Sequence, residues 1–179
     1  MNPTVTTKPG KSASFKARIA GVFYLMAVFT AVLAEVFIRG KLLYAAGLIP
    51  VLCFSAVTLL MYSILGPVNR TVALLAACSN LVGLAFEALE LHLGHVNAAL
   101  VFHGIYCVLT GYLVLRSSFL PRILGTLMVL GGLGWLVFLS PPLAHFLHSY
   151  NVALGFLGEG SLMFWLLAKG VKDQKWRAD

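Results

Sequence analysis

The stretch LLYAAGLIPVLCFSAVTLLMYSIL, from Leu42 to Leu65, runs for 24 residues without a charged side chain. A bilayer core is crossed by a helix of about 20 predominantly apolar residues, so this stretch reads as a membrane span. Outward from it lie five more: Ala17 to Ile38, Thr71 to Leu93, Val96 to Leu115, Ile123 to Leu139 and Asn151 to Ala168. The breaks between them carry turn punctuation, including Gly66 and Pro67, Gly94 and His95, the run from Arg116 to Arg122, and Pro141 with Pro142. Connections this short make neighbouring helices antiparallel. The expected fold is all-α, a compact bundle of six transmembrane helices (17–168) between a mobile cytoplasmic tail (1–16) and a basic interfacial tail (169–179).

Composition agrees. Of 179 residues, 60% are hydrophobic and 11% charged, with a mean hydropathy of +0.92, whereas a soluble domain carries about 25% charge. Too few polar side chains exist to cover a water-facing surface, which excludes a cytosolic enzyme, a disordered chain and a nucleic-acid-binding domain. The formal net charge of +7 reflects placement instead: 11 of 13 basic residues fall before or at the very start of span one, after span six, or in the links after spans two and four. Only Arg39 and Lys41 lie opposite. By the positive-inside rule both termini are expected in the cytoplasm, and the lipid bilayer is the partner that the basic tails require. Cys53, Cys78 and Cys107 fall inside spans at unrelated spacings and read as small buried thiols.

Ionisable groups are costly in hydrocarbon, and here they gather in the outer half of the spans. Glu35 lies late in span one, Glu87 and Glu90 late in span three, His103 early in span four and Glu159 early in span six. His92 and His95 occupy one outer boundary, and His145 and His148 another. At 100° per residue Asn80, Gly83, Glu87, Glu90 and Gly94 fall within an arc of about 80° on span three. His103, Tyr106, Cys107 and Thr110 form a similar stripe on span four, and Gly21, Tyr24, Ala31 and Glu35 share a face of span one. Such stripes are expected to face the bundle interior, with glycines beside them allowing close helix approach.

Four glutamates here face only two fixed positives, so protonation, histidinium partners or a bound cation must compensate. As a metal site, His92, His95, His103, His145, His148 and Glu90 are the candidate ligands for zinc or iron, with bis-histidine haem a weaker variant. Glu87 and Glu159 are then the candidate catalytic acid or base groups, and Asn80 and Tyr106 candidate substrate contacts. Blander readings stand beside these. Glu35 and Arg39 have the spacing of a helical ion pair, His145 and His148 suit an interface, and the deeper groups suit a structural hydrogen-bonded network.

Asn97–Gly104 (NAALVFHG) and Asn151–Gly158 (NVALGFLG) share N-x-A-L-x-F-x-G, each downstream of an H-x-x-H pair. Spans three and four are therefore a candidate parallel copy of spans five and six.

Three stretches, ARIAGVFYL (Ala17–Leu25), SSFLPRILGTL (Ser117–Leu127) and LGEGSLMFWLLAKG (Leu157–Gly170), resemble a bacterial integral-membrane family catalogued as domain of unknown function 4386. The resemblance implies a bacterial inner-membrane protein and brings no activity or site residues with it. Three function classes stay open: a metal-dependent membrane enzyme acting on a lipid-like substrate, a proton-linked transporter or binding protein for a small hydrophobic ligand, and a structural or partner-binding role without catalysis, each compatible with a homodimer.

Overall fold

The computed structural model describes residues 10–37, 41–91 and 96–171, with side chains for all of these except 10–12, 34–37, 41–45, 148, 149 and 152. Six α-helices follow one another: α1 (Gly10–Phe37), α2 (Lys41–Leu65), α3 (Arg70–Ala88), α4 (Ala98–Arg116), α5 (Arg122–Leu136) and α6 (Pro141–Ala168). A single 3-10 turn, Val137–Leu139, extends α5. The described residues contain no strand. Five of the helices are long and apolar enough to cross a membrane, and α6 contributes the shorter apolar segment Ala153–Ala168.

Helix ends follow local chemistry. Asn69 accepts from the Val72 amide at 3.0 Å and Asn97 from the Leu100 amide at 3.2 Å, satisfying amides that no helical carbonyl can reach. Span three was expected to run on to Leu93, but α3 stops at Ala88. Glu90 there adopts φ 49° while the Leu91 amide donates to Phe86 and the Glu90 amide to Glu87, the bonding of a Schellman cap. Two further boundaries differ from expectation. Helix α1 begins at Gly10, not Ala17, and α6 begins at Pro141, because a proline in the first helical turn has no amide to lose. The expected link holding His145 and His148 is thus helical. The two halves of the candidate repeat also differ locally: Asn97 caps α4, whereas Asn151 is buried inside α6.

Each helix packs on its neighbours in sequence and α6 returns to α1, closing an up-and-down ring. Large apolar side chains such as Phe15, Phe29, Leu52, Leu75, Phe146 and Phe164 point outward, which suits a lipid solvent. Thr30, Ser55, Thr58 and Ser63 return their hydroxyl hydrogens to carbonyls one turn back. In hydrocarbon no water is present to do so.

Helices α4 and α5 form a close seam. A methyl group added at Gly104 would fall 2.9 Å from the Gly132 carbonyl oxygen, and one added at Gly111 would fall 2.7 Å from that of Gly125. Two glycines seven residues apart on each antiparallel helix therefore let the backbones touch. Gly111→Val is expected to cost about 1–3 kcal/mol of overpacking and to lower the thermal unfolding midpoint in detergent. Gly47→Ala, where an added methyl meets nothing within 4 Å, should leave that midpoint unchanged or raise it slightly. Glu90→Gly, at a backbone conformation that glycine adopts freely, is expected to raise it by the equivalent of about 1 kcal/mol.

Candidate functional site

Every helix sends one side chain into a single hydrogen-bonded network. Thr58 on α2 donates its hydroxyl hydrogen to the Phe54 carbonyl at 2.7 Å. Its oxygen is then left to accept from Asn80 Nδ2 on α3 at 2.6 Å. An amide held that way presents Oδ1 to His103 Nδ1 on α4 at 2.8 Å. Because an amide oxygen only accepts, Nδ1 carries a hydrogen, and the other ring nitrogen, Nε2, meets Glu159 Oε1 on α6 at 3.0 Å. Glu159 Oε1 also accepts from Trp135 Nε1 on α5 at 2.8 Å, and Oε2 from the Tyr24 hydroxyl on α1 at 2.7 Å.

These directions leave one proton between Nε2 and Oε1. The pair is either imidazolium with carboxylate or neutral imidazole with carboxylic acid; both satisfy the same geometry. Aromatic rings fix the imidazole on three sides: Phe54 and Trp135 edge-on at 5.7 and 6.0 Å, and Tyr106 tilted at 5.7 Å. Trp135 can reach Glu159 because the residue one turn before Glu159 is glycine. A methyl at Gly155 would fall 2.4 Å from the indole.

Above this network lies a cavity of about 550 Å³, within the size range of small-molecule sites. Its floor is Tyr24, Asn80, His103, Trp135 and Glu159, and its walls are apolar apart from Glu87. Of the residues anticipated from sequence, Asn80, Glu87, His103 and Glu159 line it together. Tyr106 is buried behind the imidazole and outside the cavity. Glu90 and His145 are exposed. His145 lies fourteen residues from Glu159 on the same helix, about 21 Å along its axis, so it cannot share a metal with Glu159. His92 and His95 lie outside the described residues, as does the side chain of His148.

Sequence reasoning missed Tyr24, Thr58 and Trp135 as members of the network and assigned Cys107 no role. Cys107 Sγ sits 3.6 Å from His103 Nε2 and 3.9 Å from Glu159 Oε1. One ligand atom from each of His103, Cys107 and Glu159 lies within 4.8 Å of the others, a group that could hold a metal ion. A readable signal existed for one of these residues: His103 and Cys107 are one turn apart on one polar stripe. Asn80→Leu, which strands the His103 Nδ1 hydrogen and the Thr58 oxygen in an apolar interior, is expected to cost about 1–3 kcal/mol. Thr58→Val, which leaves Asn80 Oδ1 in place, should cost less, both being read from thermal unfolding of the full chain.

Comparison with known proteins places the site in a family context. The family described as Domain of unknown function (DUF4386) matches residues 87–170, a segment holding His103, Cys107, Trp135 and Glu159. An uncharacterized protein of the archaeon Archaeoglobus fulgidus is 30% identical over 127 residues, covering 65% of this chain and 76% of its own length. The resemblance noted from sequence pointed to bacteria, and this relative is archaeal. No solved structure matches. A helical membrane-type chain with this match and this relative belongs to the DUF4386 family, whose function is unknown.

Proposed function

We propose that this protein is a metal-dependent enzyme of the bilayer. In this reading His103 Nε2, Cys107 Sγ and Glu159 Oε1 hold a divalent transition metal, zinc or iron, and a lipid-like substrate occupies the cavity above it. The observation that carries the reading is the convergence of three different donor atoms, two of them on His103 and Glu159 at the floor of an apolar cavity and the third on Cys107, buried behind them. Their separations of 3.0, 3.6 and 3.9 Å lie near the roughly 3.3–3.6 Å between ligands that sit about 2.0–2.3 Å from a tetrahedral ion.

The surroundings support it. Asn80 accepts from His103 Nδ1 and so reserves Nε2, which is how a metal-ligating histidine is usually oriented. Held by these three residues, a metal would have an open position left and would supply there the chemistry of polarising a carbonyl or lowering the pKa of a water. Glu159 becomes a ligand in this arrangement, leaving Glu87 as the free carboxylate in reach of a substrate. A bis-histidine haem has less support, since the candidate group contains one histidine among the described residues. The orientation we propose puts the termini in the cytoplasm of a bacterial inner membrane. It is favoured by Arg70, Arg116, Arg122 and Lys169, which the alternating helices carry to one end.

A second reading is favoured by the completeness of the hydrogen bonding. The His103–Glu159 pair is satisfied without an ion, as a proton-linked transporter or a binding protein would require. Elemental analysis separates the two. Protein purified in detergent without a histidine tag is expected to carry about one zinc or iron per chain. His103→Ala and Cys107→Ser should lose most of it, and Glu87→Gln should keep it. A folded wild-type chain free of metal after growth in metal-supplemented medium overturns the metalloenzyme and leaves the proton-linked reading.

A further inference from the structure

Where the cavity opens, and what charge waits inside it, together specify its occupant. Helices α1 and α6 touch tightly at one end of the ring, where a methyl at Gly21 would fall 2.9 Å from the Leu167 amide nitrogen. Their last polar contact is Tyr24 to Glu159. Beyond it, Leu25, Val28, Ala31 and Val32 of α1 and Phe156 of α6 line the cavity instead of each other. Leu25, Val32 and Phe156 are 44%, 48% and 49% exposed while lining it. In a membrane protein, exposure at this depth is exposure to lipid. The α1–α6 seam is thus a lateral opening from the bilayer into the cavity.

Glu87 lies at the other end of the same space. It is seven residues, about 10 Å along α3, beyond the Asn80 layer and one residue before the helix ends at Ala88. Among the described residues its carboxylate makes no hydrogen bond or ion pair, and the only described salt bridge is His103 with Glu159. The basic residues Arg70, Arg116, Arg122 and Lys169 stand at the opposite end of the ring. Glu87 is exposed at this end of an otherwise apolar cavity, so its carboxylate is presented to whatever enters, and among the described residues no cation forms an ion pair with it.

We infer that the cavity takes a long-chain amphiphile with a cationic amine head, admitted sideways through the α1–α6 seam. The ammonium group pairs with Glu87 near the end of α3, at the depth where a lipid head lies, and the chain runs inward against Val28, Val32 and Phe156. The His103–Cys107–Glu159 group then faces a position on the chain about 10 Å from the head. This inference shares with the proposed function the reading of the cavity as the substrate's place, but it does not depend on a metal.

The test uses full-length protein carrying Trp165→Phe and Trp176→Phe, in which Trp135 on the cavity floor is the remaining tryptophan. Its fluorescence is titrated with ω-bromoundecylamine and with ω-bromoundecanol, which share a quenching bromine and an apolar chain and differ in head charge. The amine is expected to quench at about tenfold lower concentration than the alcohol, equivalent to about 1.4 kcal/mol. Glu87→Gln in the same background should erase that preference while leaving the alcohol's quenching intact, which also controls for partition into detergent. Equal quenching by both compounds overturns the cationic head, and a preference that survives Glu87→Gln overturns its assignment to Glu87. Absence of quenching by either overturns occupancy of the cavity. Metal content measured on the same samples is read separately, so an amine preference in metal-free protein would sink the metalloenzyme and leave this inference standing.

Discussion

A glutamate side chain inside a hydrocarbon-embedded bundle has to find every one of its partners within the protein, and the rest of this structure is arranged around that constraint. Glu159 is 8% exposed. Its two oxygens are met by Tyr24, Trp135 and His103, and His103 is held in turn by Asn80 and Thr58. These six residues come one from each helix. In water a chain of neutral hydrogen bonds contributes little net stability, because solvent competes for every group. In lipid the competitor is absent. Removing one member leaves the others unsatisfied, and the ring of helices is fixed in register as well as held together.

Close backbone approach is what lets so many short side chains meet. The α4–α5 seam is zipped by Gly104 against Gly132 and Gly111 against Gly125, which sets His103 and Trp135 at the spacing their shared acceptor demands. Gly155 performs the same service on α6 by yielding its side-chain volume to the indole. At the opposite end Gly170, with φ 63°, turns the chain against Ser14 and draws α6 onto α1. The ring is thus tight at one end and open at the other, and the cavity occupies the open end.

How much of this could be read from the chain depends on what each residue costs in lipid. Asn80, Glu87, His103 and Glu159 were legible because a polar group in an apolar span stands out, and helical period put the first two on one face. Tyr24 was placed on an interior-facing stripe but given no role, and Thr58 and Trp135 were not legible. A hydroxyl can satisfy itself on its own helix and an indole is mostly apolar, so their presence in a span demands no explanation. Cys107 was read as inert for the same reason, although its place one turn from His103 carried the information. Of the two H-x-x-H pairs, His145 is the member whose side chain is described. His145 is exposed and far from Glu159 along α6, while the deeper, single histidine sits in the network. The starts of α3, α4 and α5 were legible beside Asn69, Asn97 and Pro121, whereas Pro141 was read as part of a link and instead starts α6, and at Glu90 a residue with no special preference for positive φ ends α3.

Structural and functional readings of the network do not compete. With Thr58 donating to Phe54, and Asn80 therefore presenting its oxygen to His103, the proton count is determined at every position but one: the hydrogen between Nε2 and Oε1 can belong to either partner without altering any other bond. A metal bound there would have to displace that hydrogen and the thiol proton of Cys107, since its ligands must be deprotonated. The Tyr24, Trp135 and Asn80 hydrogen bonds could all persist. The scaffold that satisfies Glu159 in the absence of an ion is therefore the one that would orient its ligands in the presence of one. A site built only as helix glue would have no need of an adjoining cavity with a second carboxylate; this one has both, and among the described residues that carboxylate, Glu87, makes no ion pair.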